Sequence, residues 1–442
     1  MPDALVRTAR EQLYVGLFCT ASLPYGRPYS QQASNLSSNG WTRFIAGLYK
    51  SEETLRHTAV ALSTAILGVQ NHDSQLSLKG LQAYNRALRE MSKALKQPHR
   101  FRGDGLFATS RMMQLYELFF GHVASWRGHI EGNVALILAR GPDAFASEGA
   151  HQMFADSRIL AVMLYFGQRV KSPLSTPEWR TVPWRHREKS VKDVLMDIMD
   201  DMPELFEQLD NIQSRKSGTN VDALRERLKV QCRETEVALN AWRRHVGVKL
   251  HRFDYTLTRS PIPPPSSDVE FALLHMTSLY WIACLVLYST MIFVSKGIRP
   301  SNGLAKSDSE STSKPLDKHA AGLPPNPDLF APSMEPRMFA SKIARSIHLF
   351  FEPSAGFVQS GSALFPLAIA LRYFAVVEPS GQRSEEAKML QRLLRQPFMG
   401  TYVGRFLEAL ERDAQSSKGQ DADDKEMESK MWWYEAMQQN LQ

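Results

Sequence analysis

Cysteine is scarce in this 442-residue sequence, which contains only Cys19, Cys232 and Cys284. The three residues lie far apart and form no CxxC pair, which excludes a zinc ribbon, a zinc cluster and a disulfide framework. Such sparing use of cysteine is typical of a reducing compartment. We therefore expect an intracellular, cytoplasmic protein.

Signature motifs of common enzymes are also missing. The sequence has no GxSxG, GxGxxG, Walker or HExxH pattern, which argues against the familiar hydrolase, nucleotide-binding and zinc-protease sites. His122 and His129 are seven residues apart and share a predicted helix face. No third ligand accompanies them at a suitable spacing, so we expect no metal site.

Dense basic runs are absent as well. The chain has 53 basic and 46 acidic residues, which gives a formal net charge of +7. This mild excess permits contact with anions but does not indicate a nucleic-acid-binding protein. The one local basic cluster lies among loop prolines, and we interpret it as a solvated face, with anion or partner binding as the alternative. Its members are Arg180, Arg185, His186, Arg187 and Lys189.

Strand-like alternation is nearly absent, whereas helical periodicity runs through most of the chain. Two sets of apolar residues that each share a predicted helix face are Leu55, Ala59, Leu62 and Ile66, and Leu81, Tyr84, Leu88, Met91 and Leu95. We predict an all-α protein, a large bundle or solenoid-like domain of antiparallel helix pairs.

An uncharged run from Met276 to Ser295 is about as long as a membrane-spanning helix requires. Its hydroxyl groups, and the helical pattern that continues upstream through Glu270 and His275, favour a different interpretation. A helix that is apolar on all sides is also what the centre of a large helical domain needs. We predict a buried core helix, with a membrane anchor as the alternative.

Low-complexity segments divide the chain. Residues 300–336 are rich in Ser, Pro, Asp and Lys and poor in large apolar groups, which predicts a disordered loop. We predict one helical domain made of residues 1–299 and 337–415, with the loop as an insertion. Two domains separated by the loop are the alternative. Residues 416–442 form a polar tail that ends in an aromatic cluster.

The stretch from Gly128 to Trp184 is the most informative part of the sequence. Its motifs are His129 and Gly132, the RGP turn at Arg140–Pro142 with Phe145, Arg158, and the PEW…PW loop at Pro177–Trp184. With the segment Tyr84–Leu95 and the Tyr280–Trp281 pair, they resemble the regulatory, or middle-homology, domain of fungal zinc-cluster transcription factors. The resemblance covers roughly residues 40–415, and its short motifs predict a fold rather than an activity.

One feature of that family is missing from this sequence. A full member begins with a six-cysteine cluster that holds two zinc ions, followed by a linker and a dimerising coiled coil, and none of these is found here. We therefore expect no direct DNA binding by the family's mode. The resemblance implies a helical scaffold with an apolar interior, where regulators of this family are thought to receive small effectors.

The chain also resembles the hetero-Diels–Alderases of fungal tropolonic sesquiterpene pathways in architecture, length and the missing zinc cluster. That resemblance implies an enzyme without metal or cofactor. It would join an ortho-quinone methide, derived from a tropolone or phenol, to a humulene-type sesquiterpene alkene. The reaction requires an apolar cavity that holds both partners at near-attack distance, worth up to about 7–11 kcal/mol. It also requires a donor or cation beside the oxygen that gains charge.

Ten residues are candidates for this chemistry. The catalytic candidates are polar groups within apolar helices or their loops: His275, Arg345, His348 and Gln359. The substrate-binding candidates are Tyr280, Trp281, Tyr288, Phe350, Phe365 and Arg372. Each also has a structural interpretation, because aromatic residues at helical spacing are typical of a core and arginines often pair with carboxylates.

The alternative hypothesis is a transcription-factor-like regulator without its own DNA-binding domain. It would sense a metabolite or pair with a DNA-binding partner, and it would lie in the nucleus. Under the enzyme hypothesis we expect small apolar substrates as partners, with no direct nucleic-acid contact and no membrane. Trp432, Trp433 and Tyr434 must be buried on the parent domain or on a second copy, so a homodimer is also considered.

Overall fold

The fold is taken from a computed structural model. The structure describes residues 13–14, 16–214, 219–257, 261–295, 332–378, 382–396 and 402–409. Within these ranges every regular element is a helix and no strand occurs. The prediction of an all-α protein is thereby confirmed. The predicted loop 300–336 falls largely outside the described residues, and the tail 416–442 does so entirely.

Thirteen longer helices follow one another along the described parts of the chain. They are α1 (Ile45–Ser51), α2 (Glu53–Gln70), α3 (Ser74–Leu95), α4 (Gly105–Phe120), α5 (Val123–Arg140), α6 (Glu148–Gln168), α7 (Val191–Gln213), α8 (Thr219–Val246), α9 (Asp268–Ser295), α10 (Pro336–Ser346), α11 (Gly356–Ser362), α12 (Leu364–Val377) and α13 (Glu385–Leu394). A further helical stretch spans 402–409.

Shorter helical turns lie between them. The α-helical ones are Gln31–Ser34, Pro98–Phe101 and Pro177–Thr181, and the 3₁₀ turns are Pro24–Gly26, Gly40–Phe44, Pro142–Phe145, Pro173–Ser175, Val182–Trp184, Gly247–His251, Tyr255–Leu257 and Ile347–Phe351. Consecutive long helices pack as pairs, among them α2 with α3, α4 with α5 and α7 with α8.

Sequence signals explain several helix boundaries. Gly141 has a φ of +73°, a conformation that glycine adopts easily, and it ends α5 at the predicted RGP turn. Ser190 and Asp193 form a capping box that starts α7. This box fixes where the first turn of α7, and with it Lys192, enters the interior.

The α2–α3 pair shows that the apolar row predicted for α3 is split. Tyr84 is buried, but Leu81, Leu88 and Leu95 face solvent. The physical reason is close packing through small residues, because a Cβ added at Gly80 would lie 2.9 Å from the main-chain nitrogen of Ala65. The small face of α3 therefore fits against α2, and the large leucines are left on the outside.

Helix α9 forms the centre of the fold and packs against α7, α8, α10 and α12. Most of its side chains are buried, as predicted for the run Met276–Ser295. Among the described residues two stretches are long and apolar enough to cross a membrane, α9 and Gly356–Val377. The most apolar window of α9 is 83% buried inside the fold, and a core helix passes the same test.

Candidate functional site

A partly open pocket of about 80 Å³, which we call the internal cavity, lies between α9 and the helices around it. It is lined by Ser38, Asn39 and Trp41 and by residues of α4, α5, α6, α9, α11 and α12. Most of the wall is apolar, and a few polar groups interrupt it, an arrangement that is typical of ligand sites. Drug-sized ligands occupy pockets of about 300–1,000 Å³. This cavity therefore suits several waters or a small molecule.

Arg111 of α4 brings a positive charge to the cavity wall. Its Nη2 donates to the carbonyl of Ser38 at 3.0 Å, and its guanidinium lies 5.7 Å from the centre of the Trp41 ring. Burial lowers the pKa of Arg111 to about 10, although the charge of Asp156 opposes this effect. The side chain therefore stays charged at neutral pH. None of the ion pairs found within the described ranges involves Arg111.

Asp156 and Lys192 form a buried ion pair close to Arg111. The Lys192 Nζ lies 2.7 Å from Asp156 Oδ1, and it also donates to the carbonyls of Ser34 and Ser37. Asp156 Oδ2 accepts the main-chain N–H of Trp41 at 2.6 Å. Burial raises the pKa of Asp156, and Lys192 opposes that rise. With Asp156 ionised, these three side chains carry one net positive charge, which favours an anion or a hydrogen-bond acceptor nearby.

His275 of α9 lines the same cavity. Its Nδ1 lies 3.2 Å from Ser37 Oγ, and its ring meets Phe350 edge to face. Burial lowers the pKa of His275 to about 3, and the positive charges of Arg111 and Lys192 lower it further. The imidazole is therefore neutral at physiological pH and can take part in hydrogen bonds without adding charge.

Two buried polar groups on lining residues have no hydrogen-bond partner within the part of the chain that the structure describes. They are the Ser38 Oγ and the Trp41 Nε1. Leaving a buried donor without an acceptor costs about 1–3 kcal/mol. An occupant of the cavity that accepts hydrogen bonds would reduce this cost.

Comparison with known proteins identifies the family. Residues 27–370, about three quarters of the chain, match the fungal specific transcription factor domain. The chain belongs to this family. Every residue that lines the internal cavity falls inside the matched region. Searches of curated proteins and of solved structures gave no significant match. The predicted resemblance to fungal transcription factors is confirmed at the level of the family.

Two of the ten predicted site residues, His275 and Phe365, line the cavity. Gln359 on α11 is buried and follows the lining residue Val358 in the sequence. Both ends of its amide form hydrogen bonds within the fold. Its Oε1 accepts the hydroxyl of Tyr29 at 2.7 Å, and its Nε2 donates to the carbonyl of Phe271 at 3.0 Å. Gln359 thus links α11 to the N-terminal segment and to α9.

The predicted cationic residues lie away from the cavity. Arg345 forms an ion pair with Glu386 at 2.7 Å and stacks over Tyr255, while the side chain remains 44% exposed. His348 is exposed in the turn that follows α10, and Arg372 is partly exposed on α12. None of the three lines the cavity that contains His275.

The remaining aromatic candidates fill the core. Tyr280 stacks on Trp242 with ring centres 5.2 Å apart, and Tyr288 stacks on Phe339 at 5.7 Å. Trp281 and Phe350 are almost completely buried. Tyr280 and Tyr288 thereby pack α9 against α8 and α10, and none of the four side chains lines the cavity.

The motif residues of the family have a structural part in the fold. Arg158 is buried in α6 and forms ion pairs with Asp200 at 2.5 Å and Asp197 at 2.7 Å on α7. Its guanidinium also lies over the ring of Trp184, which ends the PEW…PW loop. The motif therefore joins two helices and a loop, as expected for residues that predict a fold.

The histidines 122 and 129 have different surroundings. The Nε2 of His129 lies 2.8 Å from the hydroxyl of Tyr84, which donates to Glu117 at 2.5 Å. His122 is exposed, and its main-chain N–H donates to Glu117 Oε2. No group of three or more potential metal ligands occurs among the residues that the structure describes.

Sequence reasoning missed Arg111, which lines the cavity, and the ion pair of Asp156 and Lys192 close to it. Each has a weak local signal, because each is a charge inside or at the start of a helix that is otherwise well buried. Arg111 is the only charged residue between Gly105 and Leu115. That pattern could have identified Arg111 as a buried cation, but not its neighbours.

A larger cleft of about 520 Å³ opens on the outside of the α2–α3–α4 region. Its wall is mainly apolar and aromatic, and it is completed by the helical stretch 402–409. Arg405 and His122 are the basic residues that line it. None of the ten predicted site residues contributes to this cleft.

Proposed function

We propose that the chain is a transcriptional regulatory domain that responds to a small ligand in the internal cavity. The observation that carries this proposal is the family match over residues 27–370, which includes the whole cavity wall. The regulator acts in the nucleus, where a transcription factor domain is needed. Recognition of DNA then depends on a partner or on another part of the protein.

The ligand that fits is small and accepts hydrogen bonds. Among the described residues, the partly buried Arg111 forms no ion pair with a carboxylate, and the Ser38 Oγ and the Trp41 Nε1 have no hydrogen-bond partner. A short carboxylate matches both the volume of about 80 Å³ and the net positive charge. The apolar part of the wall accommodates a short hydrocarbon end.

Binding at this position can reach the whole domain. The cavity wall combines segments separated by more than 300 residues, from Ser38 to Phe365. A ligand that pulls these segments together stabilises one packing of α4, α6, α9 and α12 over others. A ligand that binds one packing of these helices more tightly than another shifts the equilibrium between them, as regulation requires.

A reporter assay tests the proposal. The full chain is fused to an unrelated DNA-binding domain, and reporter output is compared between wild type, Arg111→Met and the exposed control Arg244→Met. We expect the wild type and Arg244→Met to behave alike and Arg111→Met to change output at least threefold. Output equal to that of the DNA-binding domain alone, or no effect of Arg111→Met in a folded protein, would contradict the proposal.

A hetero-Diels–Alderase is the second candidate. Its supporting observation is that His275 and Phe365, two of the residues predicted for it, share one cavity with the cation Arg111. The two substrates need far more than about 80 Å³, so the cavity would have to widen. Incubation with a quinone-methide precursor and a humulene-type alkene tests this candidate. Yield and stereochemistry equal to the protein-free reaction would reject it.

A further inference from the structure

The outer cleft has the size and chemistry of a binding site but no role in the proposed function. Tyr116, Phe119, Phe120, Tyr402 and Phe406 form an aromatic wall around about 520 Å³. Leu78 and Leu81 of α3 extend this wall, and they are 54% and 46% exposed. The cleft therefore leaves large apolar side chains accessible to a partner.

One face of α3, next to the cleft residue Leu78, is basic. Helix α3 carries Lys79, Arg86, Arg89 and Lys93 against one acidic residue, Glu90, which bonds to Lys93. Arg405 adds another positive charge at the cleft, although Glu408 lies three residues further along the same helical stretch. The surface therefore favours an occupant that combines aromatic groups with negative charge.

The C-terminal end of the chain has this composition. Residues 410–442 contain eight acidic and four basic residues, in a chain whose net charge is +7. Acidic residues are concentrated at 421–428, directly before Trp432, Trp433 and Tyr434. This segment follows immediately after Ala409, which is itself part of the cleft wall.

We propose that the segment 421–442 occupies the outer cleft of its own chain. Trp432 and Trp433 enter the aromatic part of the cleft, and the acidic residues that precede them lie along the basic face of α3. This inference is independent of the ligand proposed for the internal cavity. The sequence alone leaves open whether Trp432, Trp433 and Tyr434 are buried on the parent domain or on a second copy. The proposal places them on the parent domain.

The connection is long enough for this arrangement. Trp432 follows Ala409 by 23 residues. A flexible chain of that length spans about 25–30 Å on average, which allows it to turn back to the cleft. Because the segment is tethered, its effective concentration is in the millimolar range, so even a weak contact would be well populated.

Photo-crosslinking of the full-length protein tests the proposal. A benzophenone amino acid replaces Leu78 in the cleft or, as the matched control, Val237 on α8, which is 66% exposed and lies outside the cleft wall. We expect crosslinks from position 78 to residues 421–442, at least five times more abundant than those from position 237. The double variant Trp432→Ala, Trp433→Ala should lower the yield at position 78 at least fivefold, with an unchanged melting temperature.

Mixing isotopically light and heavy protein separates the two possible sources of the segment. Crosslinks within one chain support the proposal. Crosslinks between chains would overturn it, because the cleft would then receive a second copy. Crosslinks to other regions, no crosslinks at all, or equal yields from positions 78 and 237 would overturn it as well.

Discussion

The internal cavity and the outer cleft differ in almost every physical property. The cavity is small and partly open, Arg111 lies in its wall, and the buried ion pair of Asp156 and Lys192 lies close to Arg111. The cleft is more than six times larger, and its aromatic wall is bordered by exposed leucines. The cavity is suited to a small polar ligand, whereas the cleft is suited to a peptide segment. Size alone would favour the cleft, whereas the charge of Arg111 favours the cavity as the site proposed for the ligand.

The contrast follows from how the two regions are packed. Around the cavity, each charge is tied to main-chain groups or to another charge, so the region tolerates few changes. On the outer side of α3, the leucines contribute little to the fold because the small residues behind them make the contact with α2. Mutations at the charged residues in and near the cavity should therefore destabilise the fold more than mutations of the outer leucines of α3.

The largest effect is expected from Asp156→Leu. This change leaves Lys192 buried without its counterion and removes the acceptor of the Trp41 N–H. Breaking a buried ion pair in this way costs about 3–5 kcal/mol. The control Asp222→Leu removes an exposed pair with Arg225 and should change stability by less than about 1 kcal/mol. Denaturant titration measures the free energy of unfolding of both variants. Equal losses of stability in the two variants would contradict the account.

Gly80→Leu should have the next largest effect, about 3 kcal/mol, since overpacking forces α2 and α3 apart. The control is Gly128→Leu on α5, where an added Cβ meets no atom within 4 Å. That change should leave stability unaltered or raise it slightly, because leucine favours a helix more than glycine does. Thermal unfolding of the two variants compares them. A harmless Gly80→Leu would show that the helices are not in close contact.

His275 should make stability depend on pH. Its pKa is about 3 in the folded state, below the ordinary value of 6.5, so between these values only the unfolded state takes up the proton. The free energy of unfolding should therefore fall as pH drops below 6.5, by about 2 kcal/mol at pH 5. His275→Asn should remove this part of the dependence, and the exposed control His245→Asn should not. If the free energy of unfolding varies with pH in the same way in the wild type, His275→Asn and His245→Asn, then His275 takes up a proton as readily in the folded state as in the unfolded state.

The smallest effect is expected on the outer row of α3. Leu88→Ala should change the free energy of unfolding by less than about 0.5 kcal/mol, because the side chain is exposed. The same substitution at the buried Leu62 of α2 should cost about 2–5 kcal/mol. Denaturant titration distinguishes them. A large loss at Leu88 would mean that this side chain is buried in the folded protein.

Local patterns in the sequence were sufficient for the helices but not for the cavity. The row Leu55, Ala59, Leu62 and Ile66 is buried as its spacing predicts. In α3 the same periodicity predicted that the row of leucines is buried, but the face of small residues packs against α2 instead. Periodicity does not show which face of a helix a neighbouring helix can approach. The cavity joins Ser38, Arg111, His275 and Phe365 from distant parts of the chain, and one sequence contains no signal for such pairings. Of these, His275 and Phe365 were among the predicted residues.

Calorimetric titration of a short carboxylate tests the central claim most directly. Formate and acetate are titrated into the wild type, Arg111→Met and the control Arg244→Met. The account predicts saturable binding at one site in the wild type and in Arg244→Met, and at least tenfold weaker binding in Arg111→Met. Absence of binding to the wild type, or equal affinity in the folded Arg111→Met protein, would contradict it.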